Sequence, residues 1–318
     1  MTDSDVDPAV CRLCGAKQPE FLGAITDSDF FAGRVLIQPI SGGGLWRCRR
    51  CESMFRHPIL APADYLSLYQ NGAAGQWHGD EGRHDLQLIR RLIAERQGTA
   101  NVLDVGCGNG DFLAGLPDSI AKFGIEPSVA SAARAASRGI TIASGSLEDL
   151  EREQRFEVIT IIDVIEHVPD AASLLQLAAR HLMPEGVIIV STGNPQSTAW
   201  RWFAARFWYA AYPEHISFPS RHFFEQWQAD NGGGLVLQFP ISYQTLPIWT
   251  RLLYSLIQMA FYLSPSLFHQ IGRLGLSLLR DGPKRRYFAP SAPGVFTDHQ
   301  VVMLQRASAP SLQNRKSA

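Results

Sequence analysis

The sequence predicts an α/β protein built on a doubly wound parallel sheet. Between about residues 101 and 191, short apolar runs alternate with segments of helical periodicity, as expected for strands joined by crossover helices. The first run leads into a glycine-rich loop, which is how a buried parallel strand turns towards a bound nucleotide. The chain has 318 residues and is 46% hydrophobic, so it can form a large core.

The apolar runs set the order of the elements. Helices are expected over 85–93, 130–137 and 171–182, where apolar or small residues recur at helical spacing. The strands are expected near residues 101–105, 121–126, 139–143, 156–162, 186–191, 235–239 and 301–304. About sixty residues separate the last two strands, so a long insertion is expected between them.

Four cysteines occur as two closely spaced pairs, Cys11 with Cys14 and Cys48 with Cys51. Two such pairs can place four thiolates tetrahedrally around Zn²⁺, as in a zinc ribbon; buried or redox-active cysteines are the alternative. Four thiolates leave no open coordination position, so the expected zinc is structural. The fifth cysteine, Cys107, is expected to fill space in the glycine loop.

The loop itself spans residues 102–111 (VLDVGCGNGD) and contains glycines at alternate positions. Glycine adopts positive φ and lets a ligand approach the backbone closely. A second apolar run follows and ends in Glu126, where a carboxylate could accept hydrogen bonds from ribose hydroxyls. Dinucleotide-binding enzymes share this pattern, so a nicotinamide-dependent oxidoreductase is an alternative at this point.

Five segments in order resemble the motifs of class I S-adenosylmethionine-dependent methyltransferases: 102–111, 123–126, 145–149, 156–170 and 182–191. The resemblance covers roughly residues 84–243 and 298–307. It implies a Rossmann-like seven-stranded sheet with helices on both faces. The cysteine pairs and the segment 57–69 resemble methyltransferases of polysaccharide and natural-product pathways, where such a ribbon caps the active site or organises a dimer.

The resemblance implies a donor site for S-adenosylmethionine. Asp104 would anchor the loop near the methionine amino group, and Gly106, Gly108 and Gly110 would pass close to the donor. Glu126 would hold the ribose.

The same resemblance extends to two later loops. Ser146 and Leu147 would flank the adenine. Asp163 and Val164 would border the methionine portion.

Two histidines are candidate proton acceptors. His167 lies just past the fourth strand, and His215 precedes a helix near the expected acceptor pocket. Asp163, Glu166 and His167 also match in spacing the ligand set of ubiquinone-pathway O-methyltransferases, so metal assistance is an alternative. Structural roles for both histidines remain open.

The domain organisation follows from these segments. We expect an N-terminal zinc-ribbon module (1–58), connecting helices (59–100), a methyltransferase core (101–243) with an aromatic cap (195–230), an apolar basic helical insert (244–297), a last strand (298–307) and a disordered tail (308–318). Eleven of the 28 residues between 200 and 227 are aromatic, which suits either acceptor binding or ordinary packing.

The net charge of the chain and the charges of its segments limit the classes of binding partner that we expect. The net charge is −1, and the cysteine module lacks a basic aromatic face, so no nucleic-acid partner is expected. Residues 246–286 are apolar and carry six Lys or Arg against one acid, which suits contact with a membrane surface; packing on the domain or on a homodimer partner is the alternative. The acidic start argues against a secretory signal, so we expect a cytoplasmic protein, with peripheral contact at the inner face of the membrane as the alternative.

Together these features predict an S-adenosylmethionine-dependent methyltransferase that O-methylates a small or lipid-linked acceptor, such as a sugar, phenol or natural-product intermediate. C-methylation of a sugar nucleotide is the nearest alternative. A non-catalytic partner subunit with the same fold is a further one.

Overall fold

A computed structural model describes residues 8, 10–32, 34–61, 64, 65, 68, 82–96, 98–273 and 294–306. The remaining parts of the expected connecting helices and of the insert, and the expected tail at 308–318, lie outside the described residues. The strands are β1 (Glu20–Ala24), β2 (Ser28–Phe31), β3 (Arg34–Ile40), β4 (Gly44–Arg47), β5 (Met54–His57), β6 (Asn101–Val105), β7 (Ala121–Ile125), β8 (Thr141–Ser144), β9 (Phe156–Ile162), β10 (Leu182–Gly193), β11 (Ser217–Phe218), β12 (Gly234–Ile241) and β13 (His299–Arg306).

The main sheet has seven strands in the order β8-β7-β6-β9-β10-β13-β12. Strands β6 to β10 pair in parallel, whereas β13 runs antiparallel to both β10 and β12. The order reverses between β6 and β9, which creates a crevice at the carboxyl ends of these strands. The predicted α/β fold class is confirmed.

Helices cover the sheet where small or apolar residues recur. Their bounds are α1 (His84–Glu95), α2 (Asp111–Ala114), α3 (Val129–Ser137), α4 (Ala171–Arg180), α5 (Thr198–Phe203), α6 (Trp208–Ala211), α7 (Arg221–Asp230), α8 (Ile248–Leu263) and α9 (Pro265–Arg273). Side chains of Ser128, Asp170, Ser197 and Ser220 accept hydrogen bonds from the first turns of α3, α4, α5 and α7. These caps satisfy backbone donors that the helix itself leaves unpaired.

The central strands are buried on both faces, which explains why they appear in the sequence as continuous apolar runs. Leu103 in β6, Ile159 in β9 and Val190 in β10 are fully buried. The last of these strands begins earlier than predicted, at Leu182, because the pairing with β9 shifts register before Val187. Leu182 was expected to end a helix, but α4 stops at Arg180.

The N-terminal module is joined to the aromatic cap by backbone pairing. Its sheet has the order β1-β4-β5-β11, and β11 is contributed by the cap. The side chain of Arg56 in β5 is buried and donates to the carbonyls of Gly42, Ala210, Tyr212 and His215. Because a buried guanidinium is stable only when its donors are satisfied, this residue fixes the cap onto the module.

The insert after β12 begins with two consecutive helices, α8 and α9. The inner face of α8 rests on the cap, where Gln258 donates to the carbonyl of Arg206 at 3.2 Å and Phe261 is fully buried. Among the residues that the structure describes, no helix is both long and apolar enough to cross a membrane.

Candidate active site

The crevice at the carboxyl ends of β6, β7 and β9 collects the residues that the sequence singled out. Asp104 lies near the end of β6, Gly106 and Glu126 directly follow β6 and β7, and Asp163 follows β9. Parallel strands end at one edge of their sheet, which brings these distant segments into a single site.

The glycine loop is shaped for close approach. Gly106 has φ +76°, and a Cβ there would lie 2.6 Å from Val164 Cγ2. Gly110 has φ +79° and precedes α2, and a Cβ there would overlap Ile140. Gly108 differs, because its φ is +54° but a Cβ would have no atom within 4 Å. The middle of the loop therefore faces open space of the kind that a donor molecule needs.

Glu126 ties this loop to the next one. Its Oε2 accepts from the Gly108 amide at 2.9 Å, and its Oε1 accepts from the Ser128 amide at 2.8 Å. Burial raises the pKa of this carboxyl above its ordinary value. Each carboxylate oxygen has a second lone pair, so both oxygens can still accept a ribose hydroxyl.

Asp104 is buried at the end of β6 and accepts a hydrogen bond from Thr160 Oγ1 at 2.6 Å. Burial, together with the nearby Glu126 carboxylate, raises the pKa of Asp104 to about 7. A cation bound beside Asp104 would offset this penalty and favour the charged form.

The residues expected at the adenine lie in a tight turn after β8. Ser146 Oγ donates to Asp149 Oδ2 at 2.8 Å and accepts from the Asp149 amide at 3.3 Å. Leu147 is buried in the main core. The Ser146 hydroxyl is thus committed to its own turn.

Asp163 meets a cation that sequence reasoning missed. Its Oδ2 lies 2.7 Å from an Arg83 guanidinium nitrogen, and the same nitrogen lies 2.6 Å from Asp85. The guanidinium also sits 4.4 Å from the ring centre of Tyr243. Asp163 adopts φ +52°, a strained conformation for a residue with a side chain. Val164 follows and fills the space beside Gly106.

Glu166 is fully buried beneath this loop. Its two oxygens accept from the Tyr209 hydroxyl and from Thr192 Oγ1. Burial, and then the negative charge of Asp163, raise the pKa of Glu166 to about 7. The carboxylate therefore orients Tyr209, which projects from the aromatic cap.

The two predicted histidines meet. The His167 and His215 rings lie 4.9 Å apart, and the Tyr209 ring lies 4.1 Å from His215. Nδ1 of His215 faces the Tyr209 carbonyl at 2.8 Å, and Nδ1 of His167 faces the Glu214 carbonyl at 3.0 Å. A ring that donates from Nδ1 carries its lone pair on Nε2. Burial lowers the pKa of both histidines.

The residues that could hold a metal ion in the folded chain differ from the set that the sequence suggested, which was Asp163, Glu166 and His167. Ligand atoms of Glu166, His167 and His215 all lie within 4.8 Å of one another, whereas Asp163 is paired with Arg83. Both oxygens of Glu166 already accept hydrogen bonds.

A third histidine reaches the same region, and the sequence analysis did not single it out. His299 begins β13, is 1% exposed, and holds Nδ1 2.8 Å from Asp298 Oδ1. Its Nε2 has no hydrogen-bond partner among the described residues. The ring lies 5.0 Å from Tyr209 and 4.9 Å from Tyr243. Burial alone would lower the pKa of His299, but the Asp298 carboxylate outweighs it and raises the pKa.

Most aromatic residues of the cap serve packing. Trp200 contacts Phe207, Tyr209 and Phe218 within one buried cluster. Phe223, Phe224 and Trp227 join the core beneath the main sheet. Tyr209 stands apart because it also contacts the site histidines and Glu166.

The four paired cysteines converge. Their sulfurs lie within 4.8 Å of one another, with Cys14 and Cys48 at 3.5 Å and Cys11 and Cys51 at 3.9 Å. Cys48 Sγ also accepts from the amide of Cys51 at 3.4 Å. Four thiols at one point fit the donor set of a tetrahedral zinc site.

The strand order, the glycine loop and the carboxylate after β7 define the fold of a class I S-adenosylmethionine-dependent methyltransferase domain. A family model for a methyltransferase domain matches residues 78–236, which is half of the chain. The chain belongs to this family.

Curated relatives are named ubiquinone biosynthesis O-methyltransferases. The protein from Sodalis glossinidius is 31% identical over 147 residues, which is 41% of this chain and 59% of the relative. The protein from Klebsiella pneumoniae is 32% identical over 148 residues, which is 40% of this chain and 60% of the relative. The chain thus spans about three fifths of the relatives' length.

Solved structures also resemble the chain. One is a possible histamine N-methyltransferase from Thermotoga maritima, with 20% identity, a TM-score of 0.45, and coverage of 70% of this chain and 88% of that one. Another is the N-methyltransferase NodS from Bradyrhizobium japonicum, with 13% identity, a TM-score of 0.46, and coverage of 76% and 97%.

Proposed function

We propose that this protein transfers the methyl group of S-adenosylmethionine to a hydroxyl oxygen of a small or lipid-linked acceptor. The observation that carries the proposal is the open glycine loop beside Glu126, with buried histidines at the same edge of the sheet. Membership of the methyltransferase family disfavours the nicotinamide-dependent alternative.

The donor site follows from the loop geometry. Gly108 leaves room for the donor, Glu126 accepts from its ribose hydroxyls, and Asp104 favours its ammonium group. The Asp163 loop, held by Arg83, borders the methionine portion. Ser146 and Leu147 then shape the adenine end through their turn.

S-adenosylmethionine, when bound, supplies an activated methyl carbon on a sulfonium. The chain therefore has to align the acceptor oxygen with that carbon, exclude water and accept the hydroxyl proton. Transfer of that methyl group would form one carbon–oxygen bond and break the carbon–sulfur bond, whose electron pair would stay on sulfur. The acceptor proton passes to a protein base.

We assign that base to His215, with His167 beside it. Its Nδ1 faces a backbone carbonyl, so Nε2 carries the lone pair that accepts a proton. The lowered pKa of His215 keeps the ring neutral at physiological pH. His299 is the second candidate, because Asp298 orients it and its Nε2 lacks a partner among the described residues.

The names of the curated relatives favour oxygen over carbon as the methylated atom. The decisive experiment uses S-adenosylmethionine labelled in the methyl group and extract of cells that lack this protein. Hydriodic acid cleaves methyl ethers, so label released from the product identifies O-methylation, whereas retained label identifies C-methylation. Absence of labelled product, with the protein folded and donor-bound, contradicts the proposal.

The cysteine cluster is proposed to hold one structural zinc ion. Burial raises the pKa of Cys14 to about 12, so four neighbouring thiols gain much from a cation that binds thiolates.

A further inference from the structure

Helix α8 presents a continuous apolar face outwards. The exposed positions recur every three or four residues, and their side chains are between 36% and 78% exposed: Ile248, Trp249, Leu252, Leu253, Leu256, Met259 and Leu263. At 100° per residue these positions fall within one arc of about 140° of the helix. Leu267 extends the exposed apolar surface into α9.

The opposite face of α8 is fixed to the protein. Besides the contacts of Gln258 and Phe261, Arg251 donates to the Val295 carbonyl at 3.2 Å. The Tyr262 ring lies 5.5 Å from that of Phe203 in the cap. Because the inner face is already packed, the outer apolar face has a fixed position and direction. We name it the α8 outer face.

The charged side chains on and beside this helix that carry the argument are basic. Arg251 is the one charged residue of α8, and it is exposed. Arg206 is exposed beside the carboxyl half of α8, where its guanidinium lies 5.7 Å from the ring centre of Tyr262. An apolar face with a basic margin is complementary to an anionic surface that has an apolar interior.

We propose that the α8 outer face docks the protein onto the surface of an anionic lipid bilayer. Trp249 suits the boundary between headgroups and acyl chains, because its ring is apolar and its N–H is polar. The leucines would enter the acyl region while Arg206 and Arg251 meet lipid phosphates. The helix lies in the interface and does not cross it.

A second copy of this chain fits the face less well. A two-fold interface would bring the basic residues of two copies together, and α8 itself carries no acid to offset their repulsion. An anionic bilayer supplies the missing negative charge.

Docking in this orientation places the part of the aromatic cap that contacts α8, at Phe203 and Arg206, directly behind the docked helix. The consequence that the acceptor is drawn from the bilayer rests on the proposed methyltransferase function. Docking itself needs no methyl transfer. A vesicle-binding assay can therefore contradict the docking proposal without contradicting the proposed methyltransferase activity, and the reverse also holds.

The test is co-sedimentation of the full chain with vesicles. Vesicles of phosphatidylglycerol and phosphatidylcholine in equal parts are compared with vesicles of phosphatidylcholine alone, at low and high salt. We expect binding to the anionic vesicles that weakens with salt, because exposed charges are screened.

The variant Leu256→Glu removes an apolar anchor and adds a negative charge, so its affinity for anionic vesicles is expected to fall about tenfold or more. Val129→Glu is the matched control, because Val129 is equally an exposed apolar residue but lies on α3. It should bind as the unmodified protein does. Both variants should keep the urea midpoint of the unmodified protein.

Four results overturn the proposal. The unmodified protein can stay in the supernatant with anionic vesicles. Leu256→Glu can bind as well as Val129→Glu. Sedimentation velocity can show that the unmodified protein is a dimer and that Leu256→Glu is a monomer. If vesicle binding is also absent, the α8 outer face contacts a second copy of the chain. A lowered urea midpoint for Leu256→Glu, without vesicle binding by the unmodified protein, assigns it to packing within the chain.

Discussion

Two glycines of the donor loop should separate stability from donor binding. Gly106 and Gly108 both have positive φ, and a non-glycine residue in that conformation costs about 1–2 kcal/mol. At Gly106 an added Cβ would also lie 2.6 Å from Val164 Cγ2, and such overpacking costs a further ~1–3 kcal/mol. At Gly108 the Cβ would enter open space. Gly106→Ala should therefore lose about 2–5 kcal/mol of unfolding free energy, and Gly108→Ala only about 1–2.

Donor affinity should respond differently: relative to the stability that each variant loses, Gly108→Ala should lose more donor affinity than Gly106→Ala. The Cβ of Gly108→Ala projects into the space that we assign to S-adenosylmethionine, so affinity should fall at least about tenfold in a well-folded protein. Urea unfolding gives the first quantity and isothermal titration calorimetry with the donor gives the second.

The double variant Gly106→Ala with Val164→Ala is the control for the clash. Removing the valine methyl groups should recover the overpacking part of the loss but not the φ part. Equal stability of Gly106→Ala and Gly108→Ala, or unchanged donor affinity in Gly108→Ala, would refute the reading of this loop.

Three further predictions concern the site. Glu126→Gln keeps the shape of the side chain but replaces one acceptor oxygen by an NH2 group that would face the Gly108 or Ser128 amide, so the urea midpoint should fall. Donor affinity measured by calorimetry should also fall about tenfold, and an unchanged affinity argues against the ribose role. The pH profile of kcat/KM should identify the base, because a base acts only when neutral and activity is lost as pH falls through its pKa. The pKa of His215 is lowered and that of His299 is raised, so an acid limb below pH 6.5 supports His215. A limb above pH 6.5 supports His299 only when His299→Gln removes it, because the pKa values of Asp104 and Glu166 are also raised to about 7. Zinc should copurify at about one ion per chain, and Cys48→Ser should lower the thermal midpoint and the metal content; a folded protein free of zinc contradicts the ribbon.

The sequence predicted the main sheet well because its central strands are buried on both sides. Leu103 and Ile159 lie in apolar runs that favour a buried strand over other structures. The observed bounds of β6 and β9 match those expected. The start of β10 was misplaced because Glu185 adopts φ +65° within an irregular pairing, and composition does not reveal such a bulge. Strand β11 was not predicted, since two residues become a strand only by pairing with β5, more than 150 residues away in the chain.

Prediction of the candidate site from the sequence has the same limit, because only locally encoded residues could be named. The glycines and Glu126 lie in local patterns, so the sequence was sufficient to name them. Arg83 and His299 belong to no sequence motif, because their partners across the site, Asp163 and Tyr209, come close only when α1 and β13 reach the edge of the sheet. The sequence named His167 and His215 separately, and the fold brought their rings to 4.9 Å.

Hydrogen bonds connect the N-terminal module to the backbone that carries the site histidines. Arg56 holds the carbonyls of Ala210, Tyr212 and His215, and the Ala32 amide donates to Glu214. The Glu214 carbonyl in turn faces His167. The backbone that carries the proposed base is therefore fixed from the module side, while the donor loop belongs to the main sheet. Removal of the proposed zinc ion should consequently lower kcat more than it weakens donor binding, because Arg56 links the module to the backbone around His215 whereas the loop at Gly108 belongs to the main sheet.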